Sequence, residues 1–245
     1  MSNRARAKRF VRHQLARVGL AVHFVPRWER EGYGDGIDAI AEAREAQTEA
    51  AVHALRSRYE RPVFGRIDSW ELIRRLASCV DPSDPHLGCA SQEIHVLQVL
   101  EGMERAGVSD PVLLTAALLH DVGKVLLLTE ERADNIVGMV APIGEQPPAI
   151  GLDRALLQWG HDEFAYSRLR EHVRAPVAWL IRYHSIDLTR CAPLMDANDR
   201  ELCRRYLLPF RRFDFGTKSK HVLPKRRIED YRELLRTCLP PTLEI

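Results

Sequence analysis

Cysteine is scarce in this chain, and the cysteines that do occur are not spaced for a metal ribbon or a disulfide framework. The 245 residues include five cysteines, and no two of them form a C-x-x-C pair. A small fold stapled by disulfides needs paired, regularly spaced cysteines and is therefore excluded. No secretory signal is expected ahead of them, so a reducing cytoplasm is the expected location.

Long apolar runs and alternating β-branched runs are also rare. No apolar run is expected to reach the roughly 18 to 20 residues that cross a bilayer, so no membrane partner is expected. Internal repeats, low-complexity tracts and a glycine-rich phosphate loop are missing from the sequence. Apolar residues make up 45% and charged residues 29% of the composition, the balance of an ordinary globular domain.

The formal charge is only +2, although it is unevenly distributed along the chain. Such a small net charge gives no reason to expect a nucleic-acid partner. Residues 1–27 are rich in arginine, and no acidic residue precedes Glu29. We interpret this start as a solvated basic helix, with a transit segment or a contact to an anionic surface as alternatives. The predicted organisation is a basic extension at 1–45 and a domain at 46–245; a monomer is compatible with it.

Helical periodicity dominates the chain from residue 37 onward. Asp110 and Pro111 form a helix-start signal, whereas Gly107 is suited to end the helix before them. The almost wholly apolar segment that follows is expected to be a buried central helix. The predicted helical segments are 37–59, 70–79, 94–103, 112–120, 153–172, 176–186, 199–211 and 228–239. Proline-bearing loops separate several of them, and the whole predicts one all-α domain built as a helical bundle.

A histidine and an aspartate, His120 and Asp121, stand side by side where the central helix should end. Burying an ionised carboxylate without a partner costs several kcal/mol or more, and a metal ion is one of the few partners that satisfies both side chains. Alone, however, such a pair also arises by chance. The interpretation therefore depends on further candidate ligands.

Four more residues supply such candidates, namely His95, His161, His184 and Asp214. Each has an ordinary interpretation by itself: a hydrogen-bonded core histidine, or an aspartate paired with a neighbouring arginine. Imidazole and carboxylate ligands suit iron, manganese or zinc, and the ligand types do not choose among these metals.

Taken in order, His95, the His-Asp pair, His161, His184 and Asp214 resemble the ligand pattern of the HD-domain superfamily in its two-metal form. The closer resemblance is to the inositol oxygenases. It rests on LHDVGK at 119–124, WGHDE at 159–163, IRYHS at 181–185 and FDFGTK at 213–218, and it covers about 46–245. The resemblance implies an HD-domain bundle with two metals in its core, bridged by Asp121.

The resemblance also implies the chemistry: a mixed-valent Fe(II)/Fe(III) pair, with O2 as co-substrate, oxidising a hydroxylated small molecule. In that family the substrate binds as an alkoxide and a superoxo species abstracts hydrogen. Lys124 would then be the catalytic residue that favours the deprotonated substrate oxygen. The substrate-binding residues carried over are Asp81, Ser83, Lys124, Gly138, Ser185 and Lys218.

Departures from the family pattern cluster around the substrate. Gly138 is followed by Met139, where the family has an aspartate that grips the cyclitol, and the loop at 145–150 is short. The arginine-bearing N-terminal segment of the family is not found, and 33–36 stands roughly in its place. Losing a hydrogen-bond acceptor changes specificity, so the resemblance leaves open whether myo-inositol is the substrate.

Three alternatives to this function remain. An oxygenase that cleaves the carbon–phosphorus bond of a hydroxylated phosphonate resembles the same metal pattern. A metal-dependent HD phosphohydrolase would use two metals to activate water against a phosphate ester. A non-catalytic binding protein would keep the metals only for folding.

Overall fold

The structure is a computed structural model that describes residues 37–245. The basic segment at 1–27 and the stretch at 33–36 therefore lie outside the described residues. The described chain is mostly helical, and its only paired strands are β1 (Arg66–Asp68) and β2 (Thr242–Glu244), which run antiparallel. The prediction of an all-α bundle is confirmed.

Helices and short helical turns alternate along the described chain. Residues 37–45 are helical. The α-helices that follow are α1 (Glu49–Arg58), α2 (Ser69–Arg75), α3 (Gln92–Arg105), α4 (Pro111–Leu119), α5 (His161–Leu169), α6 (Ala175–Tyr183), α7 (Leu188–Cys191), α8 (Ala197–Leu202), α9 (Leu208–Asp214) and α10 (Arg232–Cys238). A π-helical segment, Cys203–Leu207, joins α8 to α9, and 3₁₀ turns lie at Leu76–Ser78, Val122–Leu128, Ala133–Asn135, Ala192–Leu194 and Ile228–Tyr231.

The ends of the central helices follow their capping residues. Asp110 accepts a hydrogen bond from the backbone N–H of Val112 at 2.8 Å, so it caps α4 directly before Pro111. Gly107 lies just beyond α3 with φ +71°, the left-handed conformation that favours glycine. Both ends agree with the sequence prediction.

The core forms around α4, which is buried along almost its whole length. Helices α3, α5, α6 and α9 pack around this core and carry the candidate ligands on their facing ends. The expectation that no apolar run reaches membrane-spanning length was wrong. Pro111–Leu128 has 18 residues and a mean hydropathy of 1.6, but 78% of it is buried inside the fold. Its apolar character is explained by its place in the core.

Two predicted helices differ from the structure. The segment predicted at 37–59 is broken at 46–48, where Thr48 caps α1 by accepting from the N–H of Ala51 at 3.2 Å. The helix predicted from residue 153 begins only at His161. Residues 151–157 are instead held in turns, because the side chain of Asp199 accepts from the N–H of Leu152 at 2.7 Å.

The helical residues 37–45 pack on the domain through Arg44. This side chain is 4% exposed and donates to the carbonyl oxygens of Met139 at 3.1 Å and Trp159 at 2.5 Å. Burial lowers the pKa of Arg44 to about 10, although nearby carboxylates oppose that shift. The boundary at residue 45 remains a prediction, but Arg44 lies within the packed core.

Candidate metal centre

The six candidate ligands come from five helices and meet at the centre of the fold. His95 lies on α3, His120 and Asp121 directly follow α4, His161 begins α5, His184 directly follows α6, and Asp214 ends α9. Their exposed fractions lie between 0% and 3%. Helix ends suit this task, because a side chain there can leave the helix axis and point into the space between helices.

One group of ligands, called position A here, is formed by His95, His120 and Asp214 with one oxygen of Asp121. His95 Nε2 lies 3.0 Å from Asp214 Oδ1 and 3.2 Å from His120 Nε2. Asp121 Oδ2 lies 3.4 Å from His120 Nε2 and 3.6 Å from His95 Nε2. The two imidazoles and Asp121 form one compact group, and Asp214 lies against its two imidazoles.

The second group, called position B, is formed by His161, His184 and the other oxygen of Asp121. Asp121 Oδ1 lies 3.2 Å from His161 Nε2 and 3.6 Å from His184 Nε2, and the two Nε2 atoms are 3.4 Å apart. The two oxygens of Asp121 thus face different groups, which is the arrangement of a bridging carboxylate.

Hydrogen bonds on the far side of the imidazoles decide which nitrogen can bind a metal. Nδ1 of His161 donates to the carbonyl of Ile136 at 2.8 Å, and Nδ1 of His184 donates to that of Ile181 at 2.9 Å. His120 Nδ1 donates in the same way to Ala117, at 3.1 Å. A proton fixed on Nδ1 leaves a lone pair on Nε2, the form that ligates a metal.

Two observations show that these residues fit a metal centre. At position B, two Nε2 lone pairs face each other at 3.4 Å, an unfavourable contact unless a cation lies between them. Asp121 Oδ1 is buried and has no hydrogen-bond partner among the described residues, although a buried carboxylate oxygen should have one. A divalent ion at each position would satisfy both, and imidazole with carboxylate suits iron, manganese or zinc.

Two lysines tie the carboxylates of this centre to the proline-bounded loop before α3. Lys124 Nζ lies 3.0 Å from Asp121 Oδ2 and 2.9 Å from Asp81 Oδ2. Lys218 Nζ lies 3.0 Å from Asp84 Oδ2 and 3.8 Å from Asp214 Oδ1. Each lysine therefore bridges one loop carboxylate and one candidate ligand.

These charges shift the protonation of the whole cluster. Burial would raise the pKa of Asp121, but Lys124 and then His120 outweigh burial and hold it well below its usual range. Lys218 and His95 do the same for the pKa of Asp214, against burial. Burial would lower the pKa of Lys124, yet Asp121 and Asp81 raise it above its ordinary value. Both carboxylates therefore stay ionised, and Lys124 stays charged.

Close packing behind the His-Asp pair depends on Gly123. A Cβ atom at this position would lie 2.0 Å from the backbone oxygen of His161, a distance at which atoms overlap. The 3₁₀ turn that contains Gly123 therefore packs directly on the start of α5. This contact places His161, of position B, directly against the turn that follows His120 and Asp121.

The predicted substrate-binding residues lie close to the centre. Lys124 is 4% exposed and also donates to Gln92 Oε1 at 3.1 Å, so it is not a helix cap. Asp81 accepts from the hydroxyl of Ser83 at 2.6 Å and from its backbone N–H at 2.8 Å. Lys218 is largely buried, with a side chain 13% exposed, rather than a surface lysine. Arg211, which lies three residues before Asp214 on α9, donates to the carbonyl of Ile186 at 2.9 Å.

Ser185 and Gly138 lie on neighbouring segments beside His184. The backbone N–H of Val140 donates to the carbonyl of Ser185 at 3.1 Å, which brings the two segments together. The Oγ atom of Ser185 is buried and has no hydrogen-bond partner among the described residues. Gly138 has φ +99°, and the next side chain, Met139, is 47% exposed.

Sequence reasoning did not assign two residues that contact the centre. Gln92, on the face of α3 that bears His95, is fully buried and accepts from Lys124. Asp162 is 2% exposed and lies 3.1 Å from Nδ1 of His184. The spacing of three from Gln92 to His95 on one helix was a usable signal. Asp162 lies within the WGHDE motif at 159–163, but its contact with His184 depends on tertiary packing.

Comparison with known proteins agrees with the geometry. The family model described as myo-inositol oxygenase matches residues 37–148 and 139–245. A probable inositol oxygenase of Oryza sativa subsp. japonica is 29% identical over 215 residues, which cover 70% of this chain and 69% of that protein. Inositol oxygenase 1 of Arabidopsis thaliana is 29% identical over 224 residues, covering 76% of this chain and 71% of its own. The inositol oxygenase of Sus scrofa is 28% identical over 200 residues, and the match covers 65% of this chain and 69% of that protein. The family model matches well over half of the chain, so the chain is an oxygenase that belongs to the myo-inositol oxygenase family, as the resemblance of its motifs predicted.

Proposed function

We propose that the chain is an O2-dependent oxygenase with two iron ions, and that it oxidises a small hydroxylated molecule of the polyol or cyclitol type. The observation that carries the proposal is the bridging position of Asp121, whose two oxygens face two separate groups of histidines. Membership of an oxygenase family favours iron over the other metals that these ligands suit. It equally favours oxygen chemistry over the phosphohydrolase alternative.

The two ions, when bound, supply the redox equivalents and the open coordination positions that reaction with O2 requires. The residues hold them in unlike surroundings. Position A includes Asp214 and is flanked by Lys124 and Lys218, whereas position B includes no second carboxylate ligand from residues 37–245. Burial of all six ligands excludes water, which protects a reactive oxygen species from side reactions.

Lys124 is proposed as the residue that orients and activates the substrate oxygen. Its ammonium group is charged, buried and 3.0 Å from a candidate metal ligand, so it stabilises negative charge on an oxygen that binds beside the metals. Without substrate, the ammonium group of Lys124 contacts side-chain oxygens of Asp81, Asp121 and Gln92. Since Gln92 is the neutral partner, we propose that the substrate oxygen takes its place.

We propose that the substrate also contacts four further residues, namely Ser185, Lys218, Ser83 and Gly138. Asp81 positions Lys124 through their ion pair. The unpartnered Oγ of Ser185 offers a hydrogen bond to a substrate hydroxyl. Met139 offers no acceptor side chain and is largely exposed. We therefore propose a polyol that needs fewer hydrogen-bond acceptors from the protein than myo-inositol does. Myo-inositol is the compound with which such polyols are compared.

The proposal is tested by loading the protein with iron under anaerobic conditions and measuring the metal content, the EPR spectrum and O2 uptake. Two irons per chain, a coupled Fe(II)/Fe(III) signal perturbed by a polyol, and O2 uptake with that polyol are expected. A content below two metals, or fully loaded protein without O2 uptake across a panel of cyclitols and polyols, would contradict it. Turnover of phosphate monoesters without O2 would instead establish a phosphohydrolase.

The cytoplasmic location is likewise a proposal. Cys79 and Cys191 are buried thiols, and burial raises the pKa of both to about 12. Such thiols are protonated at neutral pH and suit a reducing compartment. Fractionation of cells that express the untagged chain tests this proposal.

A further inference from the structure

One buried carboxylate, Asp162, stands behind both histidines of position B. Its Oδ1 lies 3.1 Å from Nδ1 of His184, and its Oδ2 lies 3.5 Å from Nδ1 of His161. Asp162 is 2% exposed. A single side chain therefore faces the outer nitrogens of two imidazoles whose inner nitrogens face Asp121.

The charge of Asp162 has few other partners. Neither of its oxygens has an aligned hydrogen-bond donor among the described residues, because the two Nδ1 hydrogens point toward the carbonyls of Ile136 and Ile181. The void beside it has a volume of about 10 Å³, space for no more than one water molecule. Arg44 attracts it electrostatically, but two of the nitrogens of Arg44 donate to backbone carbonyls. A buried carboxylate in this situation needs positive charge nearby.

Positions A and B differ in the number of carboxylate groups that lie next to the Nε2 atoms of their histidines. Position A has Asp214 in addition to one oxygen of Asp121, whereas within the described part of the chain position B has only the other oxygen of Asp121. The outer nitrogen of His95, at position A, has no hydrogen-bond partner among the described residues. Asp162 therefore lies on the side of the centre that is poorer in ligand charge.

We infer that Asp162 is a positioning residue for the metal at position B, where it compensates for the missing carboxylate ligand. The carbonyls of Ile136 and Ile181 hold the two rings with Nε2 toward the metal. The negative charge of Asp162, next to both outer nitrogens, makes the imidazoles of His161 and His184 stronger donors to that metal. Groups that lie behind metal-binding histidines typically contribute 10- to 100-fold in metal affinity. The inference rests on the two-metal site of the proposed function.

The test is titration of the metal-free protein with Co(II), followed by visible absorbance and by metal analysis after gel filtration. We expect the wild type to bind two Co(II) ions. Asp162→Asn, which keeps the side-chain volume but removes the charge, should weaken binding at position B about 10- to 100-fold and leave position A unchanged. Asp162→Glu should restore part of the loss. Asp214→Asn weakens position A instead, so it assigns each binding step to its position.

The control is Asp38→Asn, because the side chain of Asp38 is exposed. It should bind both ions as the wild type does. Two ions bound by Asp162→Asn with wild-type affinity would overturn the inference and leave the proposed function intact. A wild type that binds fewer than two ions would contradict the proposed function itself. If Asp162→Asn does not fold, Asp162→Ser, which also removes the charge, decides: weaker binding at position B alone supports the role, and two unchanged affinities overturn it.

Discussion

Lys124 donates a hydrogen bond to Asp121 across 3.0 Å, and this pair joins the candidate substrate residues to the candidate metal ligands. The same ammonium lies 2.9 Å from Asp81, on the loop before α3. Because the lysine is buried between two carboxylates, its charge is fixed in place before any substrate binds. Three predictions concern this centre, and two concern the scaffold that holds it.

The first prediction concerns Lys124 itself. Lys124→Met should lower kcat/KM at least about 100-fold, since the substrate oxygen loses the cation that stabilises its negative charge. Metal content should remain at the wild-type level, because Lys124 is not a ligand. O2 uptake and metal analysis check both statements. Lys225→Met, at an exposed lysine, is the control and should retain full activity. A kcat/KM within threefold of the wild type in Lys124→Met would rule out the assigned role.

The second prediction links metal binding to stability. A metal ion that binds only the folded state at 100 times its dissociation constant stabilises that state by about 2.7 kcal/mol per site. Chelation should therefore lower the midpoint of thermal unfolding, and reloading should restore it. Asp121→Asn should show little difference between chelated and loaded protein, because both positions share Asp121. Asp38→Asn, at an exposed aspartate, should respond like the wild type. An equal response in Asp121→Asn would contradict the bridging role.

The third prediction concerns the unpartnered hydroxyl of Ser185. Ser185→Ala should raise KM about 5- to 10-fold, the value of one hydrogen bond to the substrate. The free energy of unfolding should not decrease, since the hydroxyl is buried, makes no hydrogen bond within the described residues, and its removal takes away an unsatisfied polar group. Steady-state kinetics and urea denaturation measure the two quantities. An unchanged KM would show that Ser185 does not contact the substrate, and Ser57→Ala, at an exposed serine, controls for substitution alone.

The candidate ligands could be predicted from the sequence because each one lies in a short local pattern. His120 and Asp121 end an apolar helix, and His161 and His184 occur within motifs whose order is itself informative. The residues that support them are different. The contact of Asp162 with His184 spans two helices, and the hydrogen bonds of Arg44 to Trp159 join residues more than a hundred positions apart. Local patterns carry no information on such contacts.

In the fold, too, the features set by local sequence could be predicted and those set by tertiary contacts could not. Helix ends marked by Asp110 and Gly107 were predicted because capping is a local interaction. The start of α5 was placed eight residues too early, at residue 153 instead of His161. The apolar pattern there is real, but the side chains of Asp199 and Gln146 bind the N–H groups of Leu152 and Leu156 and keep that segment out of a helix. Tertiary hydrogen bonds outweighed local periodicity.

The fourth prediction concerns pH and stability at Glu131, away from the metals. Its carboxylate accepts from Tyr59 at 2.7 Å, Arg58 at 2.6 Å and Asn135 at 2.8 Å. Burial would raise the pKa of Glu131, but these hydrogen bonds lower it below its ordinary value of 4.5. A lowered pKa in the folded state means that the stabilisation is present above pH 4.5 and is lost as the pH falls through the folded-state pKa.

Glu131→Gln should therefore be less stable than the wild type by about 1–3 kcal/mol at pH 7, and this difference should shrink steadily below pH 4.5. Urea denaturation at a series of pH values measures the difference. Glu130→Gln, at the exposed neighbouring position, should show no such dependence. A difference that stayed constant down to pH 3 would show that the charge of Glu131 is not what stabilises the fold.

The last prediction tests whether packing at Gly123 holds the metal centre together. In Gly123→Ala the new Cβ would lie 2.0 Å from the backbone oxygen of His161, so α5 has to shift. We expect a loss of about 3 kcal/mol or more in the free energy of unfolding. Since His161 belongs to position B and His120 to position A, the metal at position B should be lost first.

Gly144→Ala is the matched control for this substitution. Gly144 has φ +67° and nothing within 4 Å of its would-be Cβ, so alanine there meets backbone strain of about 1–2 kcal/mol but no clash. Both metals should remain bound in Gly144→Ala. Urea denaturation and metal analysis distinguish the two variants. Equal destabilisation with two metals retained in both would show that the close approach of Gly123 to His161 does not hold the ligands in place. Unequal destabilisation together with loss of one metal would show that glycine is needed at this position because the backbone that carries His161 occupies the space of a side chain.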